Sequence, residues 1–279
     1  MTKVALVTGA NQGLGYALVK GLAARFGPTD RVYLTARDPG KGIAALESMN
    51  GASPHVAFES LDVADDANVA ALAQGIERRH GGIDIVISNA AARIAAGVPP
   101  GEQVRPFIET NNLGTTRMLR RFLPILKPDA RFVVVASSFG RLTHLPEHLH
   151  DLFDVATASL EDIDTVMDRY IASVEAGTAA DEGWPDWINV PSKIAQVAAT
   201  KVAARAIARD RPDDGIRINA ACPGLIDTEA SRPWFDDMSD AQSPDEAAVD
   251  VLWLALHPGG ADAPQGELVQ FRKVLSWAA

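Results

Sequence analysis

Residues 8–15 read Thr8-Gly9-Ala10-Asn11-Gln12-Gly13-Leu14-Gly15. The stretch follows an apolar run, Val4–Val7, that predicts a buried strand, and it opens a segment that predicts a helix from about Leu14. Glycines at such a junction allow a tight turn and the close approach of a diphosphate, and the N–H groups of the helix start attract the anion. The stretch favours dinucleotide binding over an ordinary strand–turn–helix connection, with contacts from Gly9, Asn11, Gln12, Gly13, Leu14 and Gly15.

Apolar runs and helical patterns alternate along the rest of the chain. Further strand candidates span residues 32–34, 56–58, 83–87, 132–136, 216–220 and 267–271. Apolar residues at helical spacing lie between them, at 69–76 and again at 194–202. Strands that are apolar at every position are buried on both faces, so the pattern predicts an α/β fold with a Rossmann-type, doubly wound parallel sheet and helices on both faces. With no internal repeat or linker-like shift in composition, we expect one domain over residues 1–279.

Residues from about 141 to 183 interrupt this rhythm. They include many acidic side chains, and they contain an apolar series at helical spacing, namely Ile163, Val166, Met167 and Tyr170. The pattern predicts a helical insertion that lies on the domain with its acidic face in water.

The composition of the 279 residues narrows the class of protein. The formal net charge is −10, which disfavours a nucleic-acid partner because a phosphate backbone would be repelled. The single cysteine, Cys222, leaves no intramolecular disulfide to form. No apolar run has the length of a signal peptide or a membrane span, so we expect a cytoplasmic protein without membrane contact. No cluster of residues has the spacing of a metal site, so no metal is expected.

The end of the second strand indicates which dinucleotide is bound. An acidic residue at this tip would hold a ribose diol and repel a 2′-phosphate. Here Ala36 is followed by Arg37, whose planar guanidinium suits a phosphate. The alternative is a surface arginine paired with Asp38. We therefore expect NADP(H) rather than NAD(H).

The glycine spacing Thr-Gly-x-x-x-Gly-x-Gly resembles that of the short-chain dehydrogenase/reductase family, and further motifs extend the resemblance over nearly the whole chain. The long helical insertion resembles that of the carbonyl-reductase subgroup, in which it covers the usual oligomer face, and this implies a monomer. The other matching segments are Leu61-Asp62-Val63, Ser88-Asn89-Ala90-Ala91, Asn111-Asn112-Leu113-Gly114, Ala136-Ser137-Ser138 and Pro223-Gly224-Leu225-Ile226-Asp227-Thr228.

The resemblance implies a cofactor role for three of these segments. Asp62 and Val63 would contact the adenine. Asn89 and Ala90 would lie along the cofactor, although their motif departs from the family's Asn-Asn-Ala-Gly in its first and last residues. The nicotinamide carboxamide would be held by Pro223, Gly224, Ile226 and Thr228.

The resemblance also implies catalytic residues, and here the chain departs from the family. Asn111 would help to hold a proton-relay water and the catalytic lysine. Ser138 would polarise the substrate carbonyl, with Ser137 as the neighbour that could be confused with it. The family's central motif is Tyr-x-x-x-Lys, whereas this chain has Asn189 four residues before Lys193. Lys193 would still hold the hydroxyls of the nicotinamide ribose, but an amide can donate a hydrogen bond without giving up a proton near neutral pH.

Two interpretations of Asn189 stay open. Asparagine is a preferred helix N-cap and Pro191 suits a first helical turn, so the residue could simply start the helix. Alternatively, Asn189 contacts the substrate.

Few other side chains could supply the proton. Tyr16 and Tyr33 lie on the cofactor side, and the position of Tyr170 on an apolar stripe indicates packing. A histidine titrates in the required range, but histidines in a polar loop are more often solvated. Those that follow the serine strand are His144, His148 and His150.

Two functions therefore remain. In the first, the protein is an NADPH-dependent ketoreductase and the substrate or water supplies the proton. A ketone beside a phenol, as in polycyclic aromatic polyketides, carries an internal hydrogen bond for this purpose, and loss of the tyrosine resembles atypical angucyclinone ketoreductases. Side chains that could line a wide pocket for this aromatic ketone are Trp184, Trp187, Trp234, Phe235 and Met238. In the second, the protein binds NADP(H) without chemistry, as a sensor or regulator whose acidic insertion meets a partner.

Overall fold

The computed structural model describes residues 2–49 and 54–278. Within these residues eight strands form one sheet: β1 (Val4–Val7), β2 (Arg31–Ala36), β3 (Val56–Ser60), β4 (Ile83–Ser88), β5 (Leu126–Val135), β6 (Arg217–Cys222), β7 (Leu268–Gln270) and β8 (Lys273–Leu275). Their order is β3-β2-β1-β4-β5-β6-β7-β8. All neighbouring strands are parallel except β7 and β8.

The first seven strands confirm the predicted ones, with small differences at their ends. β5 begins at Leu126, before the predicted apolar run, and ends at Val135. β8 was not predicted, because its Lys273 and Val274 are exposed and give no buried apolar pattern. A short antiparallel edge strand of this kind is common on an otherwise parallel sheet.

Helices cover both faces of the sheet, as the sequence predicts. Among the described residues the α-helices are α1 (Gly13–Ala23), α2 (Pro39–Ser48), α3 (Asp66–His80), α4 (Pro100–Ile108), α5 (Gly114–Phe122), α6 (Leu160–Ala176), α7 (Asn189–Asp210) and α8 (Pro244–Ala255). Alternate residues of β1 point to opposite faces. Val4 and Leu6 join a core with residues of α3 to α7, while Ala5 and Val7 join a second core with α1 and α8. None of the described helices is long and apolar enough to cross a membrane.

The sheet places the candidate site at the point where the strand order reverses. From β1 the chain runs outward through β2 to β3, and then returns to pair β4 with the other side of β1. Ligands of such sheets bind beyond the carboxyl ends of the strands at this switch point. The turn after β1 and the loops after β4, β5 and β6 meet at this edge.

The predicted insertion is helical, as expected, and α6 is its long element. Short 3₁₀ turns at Leu142–His144 and Glu147–Phe153 precede α6, which begins with a capping box between Ser159 and Asp162. Its apolar stripe, which contains the predicted residues Ile163, Val166, Met167 and Tyr170, is buried.

Most acidic side chains of the insertion are exposed, as predicted, and only Asp164 of that predicted acidic face is half-buried. Glu175 of α6 forms an ion pair with Arg105 of α4, and Asp164 of α6 forms one with Arg120 of α5. The arginines of the neighbouring helices attract these carboxylates, a feature that the spacing within the insertion could not reveal. Asp162 and Asp168 remain exposed as predicted.

Candidate active site

The glycine turn after β1 has the shape of a phosphate-binding turn. Gly9 and Gly13 have φ angles of 62° and 55°, in the left-handed region that favours glycine. A Cβ on Gly15 would lie 2.4 Å from the carbonyl oxygen of Gly9, so this position has no room for a side chain. Gly13, by contrast, faces open space, because the nearest atom to a Cβ there is Thr228 Cγ2 at 4.0 Å. The turn therefore forms one wall of a cleft, with the loop after β6 opposite.

The first turn of α1 is prepared for an anion. The preceding residue, Gln12, makes no side-chain capping bond, and no acidic residue lies in the first turn. The N–H groups at the helix start are therefore left to a ligand, and the helix dipole favours negative charge there. These features fit the diphosphate of a dinucleotide, the role expected of residues 9–15.

The side chain of Asn89 is hydrogen-bonded to the glycine turn. Its Nδ2 donates to the carbonyl oxygens of Thr8 and Gly9 at 2.9 and 3.2 Å. The amides of Asn89 and Ala90 both donate to Thr8 Oγ1, each at 2.8 Å. These bonds tie the loop after β4 to the turn after β1.

Arg37 is exposed just beyond β2, on the same edge of the sheet. Asp38 is occupied as the N-cap of α2, where it accepts from the Lys41 amide at 3.0 Å. No ion pair between Arg37 and Asp38 forms in the described structure, so the alternative of a surface pair is wrong. The guanidinium is open to a phosphate.

Asp62 and Val63 lie in the turn after β3, as expected. Asp62 Oδ1 accepts from the Ala64 amide at 3.0 Å and shapes the turn. Val63 is buried and packs against Gly114, where an added Cβ would lie 2.8 Å from Val63 Cγ2. Both residues follow β3 at the edge of the sheet where the cofactor would bind, and this location fits a contact with the adenine.

A cavity of about 410 Å³ lies beyond the ends of β5 and β6. It brings together Ser138, Asn189 and Lys193, which the sequence predicted, and Cys222, which it did not. The predicted residues Gly224, Ile226 and Thr228 also line it. Pro223 lies one residue before this lining and accepts from Gln242 Nε2 through its carbonyl oxygen at 3.0 Å.

The two candidate serines have different partners. Ser137 Oγ accepts from the Phe139 amide at 3.3 Å and caps the short 3₁₀ turn Ser138–Gly140. Ser138 hydrogen-bonds the sulfur of Cys222 through its amide and its hydroxyl. Burial raises the pKa of the Cys222 thiol, partly offset by these bonds and by the nearby charge of Lys193. Both serines line the cavity, and Ser138 is the one bonded to Cys222.

Among the residues that line the cavity, Lys193 has the most strongly shifted pKa. Removal of its ammonium from water lowers its pKa to about 8. Its Nζ donates to Oε1 of Gln196, one turn later on α7, at 2.8 Å. The sequence gave no role to Gln196, although a glutamine between Ala195 and Val197 was a detectable departure from an apolar helical run.

Asn189 is the first residue of α7, and it lies one turn before Lys193 on the same cavity. The residue that precedes the helix is Ile188, and no side-chain capping bond is made there. The capping interpretation is therefore wrong, because the helix begins one residue too early for Asn189 to cap it. The residue lines the cavity in which a substrate would lie.

Asn111 is buried behind the cavity in a π-helical turn, Glu109–Leu113. Its Oδ1 accepts from the Ala92 amide at 2.7 Å. Its carbonyl oxygen accepts from Thr115 Oγ1 at 2.6 Å and from Gln196 Nε2 at 2.9 Å. Asn111 therefore supports the loop after β4 and the lysine helix. Such π turns are frequent at functional sites.

The other candidate proton donors are engaged elsewhere. Tyr16 OH bonds Ser48, and Tyr33 OH bonds His80. Tyr170 is fully buried in the insertion, and burial raises its pKa. The packing role predicted for Tyr170 agrees with this position.

The three histidines after the serine strand also have other contacts. His148 and His150 bond the carbonyl oxygens of Glu182 and Leu145 through Nε2. The His144 ring packs on Phe139, with the ring centroids 5.5 Å apart. Within the described residues, no group of three or more His, Cys, Asp or Glu side chains could hold a metal ion.

An aromatic wall bounds the cavity. Phe139 meets Trp187 edge to face at 5.2 Å, and Trp187 lies 5.9 Å from Trp234. Trp187, Trp234 and Phe235 also line a second cavity of about 500 Å³ on the other side of this wall. Trp184, a predicted pocket residue, is instead buried against Tyr170 in the insertion.

The sequence relatives agree with this geometry. A family model described as short chain dehydrogenase matches residues 3–147. The chain belongs to the short-chain dehydrogenase family. Carbonyl reductase (NADPH) 1 of Bos taurus is 33% identical over 278 residues, 98% of each chain. The protein of the same name from Rattus norvegicus is 34% identical over 280 residues, again 98% of each.

Solved structures with the same fold include plant reductases. Salutaridine reductase from Papaver somniferum has a TM-score of 0.78 at 26% identity, covering 95% of this chain and 99% of that one. Menthone neomenthol reductase from Mentha piperita has a TM-score of 0.77 at 26% identity, covering 97% and 99%. A metagenomic short-chain oxidoreductase in complex with NADP shares the fold at a TM-score of 0.64 and 22% identity.

Proposed function

We propose that this short-chain dehydrogenase reduces one ketone of a polycyclic aromatic polyketide, such as an angucyclinone, with a proton that the substrate itself supplies. The observation that carries the proposal is the cavity beside Lys193, where the amide of Asn189 stands one helical turn away and no tyrosine is present. The serine, the lysine and the cofactor cleft are all present. The chain therefore keeps the residues suited to hydride transfer although it lacks the acid.

The coarser activity is NADPH-dependent reduction of a carbonyl group. NADPH carbonyl reductases match this chain over 98% of its length. The protein is an NADPH-dependent oxidoreductase of this family. The open cleft at Gly13, the uncapped start of α1 and the exposed Arg37 fit the diphosphate and 2′-phosphate of that cofactor. When bound, NADPH supplies the hydride.

The residues around the cavity then have distinct tasks. The Ser138 hydroxyl donates to the carbonyl oxygen of the ketone and stabilises the negative charge that develops on it. The ammonium of Lys193 holds the ribose hydroxyls of the cofactor. The Asn189 amide donates a hydrogen bond to the forming alkoxide without transferring a proton.

In this proposal the proton comes from the substrate and not from a side chain of the protein. A phenol next to the ketone already shares its hydrogen with the carbonyl oxygen, so it can neutralise the alkoxide as the hydride arrives. The orientation of the ketone against the cofactor supplies a large part of the rate in such a site.

The walls of the cavity support a large flat substrate. Phe139, Trp187 and Trp234 offer ring faces and edges for stacking. The indole N–H of Trp187 is buried and has no hydrogen-bond partner in the described structure. An oxygen-rich aromatic substrate would provide its acceptor.

We further propose that the whole chain is one domain and acts as a monomer. The insertion helix α6 packs across α4 and α7, so these helices are covered within the chain. Light scattering after gel filtration should give the mass of one chain, and a dimer mass would contradict the proposal.

The substrate is tested by NADPH consumption with a panel of ketones, followed by loss of reduced-nicotinamide absorbance. We expect consumption with hydroxylated polycyclic aromatic ketones that carry a neighbouring phenol, and little with simple ketones. Equal turnover of simple ketones would overturn substrate-supplied protonation. Tight NADPH binding with no consumption across the panel would favour a non-catalytic sensor instead.

A further inference from the structure

A buried glutamine links the lysine of the cavity to the loop beside the cofactor cleft. Gln196 is almost fully buried on α7, and its Oε1 accepts from Lys193 Nζ at 2.8 Å. Its Nε2 donates to the carbonyl oxygen of Asn111 at 2.9 Å and to Thr115 Oγ1 at 3.2 Å. Asn111 in turn binds the Ala92 amide. A continuous set of hydrogen bonds therefore runs from the lysine to the loop after β4.

The orientation of the Gln196 amide is fixed by this set. Both of its N–H groups have acceptors, and its oxygen faces an ammonium group. A rotated amide would place its N–H groups against the ammonium and its oxygen against the Asn111 carbonyl, two repulsive contacts in a buried site. A second buried pair joins the same π turn to the same helix. Ser192 Oγ donates to Asn112 Oδ1 at 2.7 Å, and Asn112 Nδ2 donates to the Ser192 carbonyl oxygen at 2.8 Å.

In the part of the chain that the structure describes, no carboxylate stabilises the Lys193 ammonium. Of the elements packed around it, β6 contributes the thiol of Cys222, the turn after β5 contributes Ser138, and α7 contributes Asn189 and Gln196. Among the described residues, Cys222 is the only other titratable group that acts on Lys193, and its thiol is neutral at neutral pH because burial raises its pKa. Gln196 thus gives a fixed polar acceptor to a cation whose pKa is lowered by burial.

We propose that Gln196 is a positioning residue that keeps Lys193 protonated and aimed at the cofactor ribose, and thereby sets the upper pH limit of NADP(H) binding. The inference rests on the ribose role of Lys193 proposed above. An amide suits this task because it accepts from the ammonium on one side and donates to the Asn111 carbonyl on the other. A carboxylate would leave two acceptors facing each other, and an apolar side chain would leave both partners unpaired.

The test is an NADPH titration between pH 7 and 10, read by reduced-nicotinamide fluorescence, on the wild type and three variants. The dissociation constant should begin to rise at the pKa of Lys193, which lies at about 8. We call the pH at which the dissociation constant begins to rise the break. In Gln196→Met, which lacks the polar acceptor, the break should move about one pH unit lower. In Gln196→Glu it should move about one unit higher, because a buried opposite charge raises a lysine pKa. Thr200→Val is the matched control. It removes a buried hydroxyl that bonds the Gln196 carbonyl oxygen, and should leave the break in place.

A merely structural role for Gln196 would weaken NADPH binding equally at every pH and leave the break fixed, and that result would overturn the inference. The apoprotein gives a second reading, since the pH dependence of its unfolding free energy reports the same lysine without cofactor. The break should shift in the same directions there. A chain that binds no NADPH at all contradicts the proposed function, whereas an unmoved break in both readings contradicts only the role of Gln196.

Discussion

The cofactor cleft and the proton-donor position of this molecule have diverged to very different degrees. In the cleft, the glycines, Asn89 and the open start of α1 fit a dinucleotide. At the position where the family resemblance implies a tyrosine, this chain has Asn189, whose amide does not titrate. The lysine one turn away remains, but in an apolar setting that lowers its pKa. Binding of the cofactor and protonation of the product are therefore separable properties of this fold.

The contrast also limits what the protein must supply. Cofactor recognition depends on the shape of the protein backbone, so a substrate cannot provide it. A substrate can provide the proton, however, if it carries its own acid. General acid help is worth roughly 10²–10⁴-fold in rate, so a substrate without that acid should be reduced far more slowly.

The largest effect should come from closing the cleft. Gly15→Ala would place a Cβ 2.4 Å from the Gly9 oxygen and 2.6 Å from Asn89 Nδ2, which would displace the turn. We expect at least about a 100-fold loss of NADPH affinity, equal to more than about 2.7 kcal/mol. Isothermal titration measures this change. Gly75→Ala in α3 is the control, since only Arg79 Nη2 at 3.5 Å meets its Cβ, and it should keep full affinity.

A smaller loss should follow from the serine. Ser138→Ala removes the donor to the carbonyl oxygen and should lower kcat by roughly 10²–10³-fold, the usual cost of one oxyanion donor. Ser137→Ala, which removes only the cap of the Ser138–Gly140 turn, should lower it by less than about 10-fold. Steady-state kinetics with the same ketone compare the two. The reverse order would mean that Ser137 is the polarising serine.

The buried lysine predicts a pH-dependent stability difference. Its folded pKa of about 8 lies below its ordinary value of 10.5, so the unfolded chain binds more protons between these values. The charged lysine therefore destabilises the fold below pH 8, and this cost disappears as the pH rises towards 10.5. At pH 7 we expect Lys193→Met apoprotein to be more stable than the wild type by about 1–3 kcal/mol, allowing for partial exposure of the side chain.

Urea unfolding of both proteins across this pH range measures the difference. Subtraction removes the contribution of the Tyr170 side chain, whose raised pKa acts in the opposite direction at high pH. A difference that stays constant with pH would contradict a pKa near 8 for Lys193.

The smallest effect should come from the donor position itself. Asn189→Ala removes one hydrogen bond to the alkoxide and should lower kcat with a phenol-bearing ketone by less than about 10-fold, since such a bond contributes about 0.5–1.5 kcal/mol. A loss of 1000-fold would mean that Asn189 takes a far larger part in the reaction than a hydrogen-bond donor can.

The sequence predicted the fold and much of the site because those parts follow from local patterns. Buried parallel strands are continuous apolar runs, and the glycine turn has a fixed spacing, so β1 to β7 and the cofactor edge could be found from the chain alone. The resemblance to a known family brought in Ser138, Lys193 and Asn111, and the structure places all three at or behind one cavity.

The remaining features depend on contacts between segments distant in the sequence. Gln196 meets Asn111 across 85 positions, and no pattern within either segment reveals that pairing. Cys222 looked like an ordinary strand residue, and only the ends of β5 and β6 together place it beside Ser138. Trp184 and Trp187 lie three residues apart, yet one packs inside the insertion and the other forms the cavity wall. Their difference is set by the turn that starts α7.

In the proposed reaction the substrate, and not the protein, donates the proton. The most direct test is the rate of NADPH consumption with one polycyclic ketone bearing a neighbouring phenol and with the same ketone after methylation of that phenol. We predict that the wild type reduces the phenol at least about 100-fold faster than the methyl ether. Asn189→Tyr, which restores a titratable hydroxyl one turn before Lys193, should narrow that gap. Equal rates for the two ketones with the wild type would contradict the account.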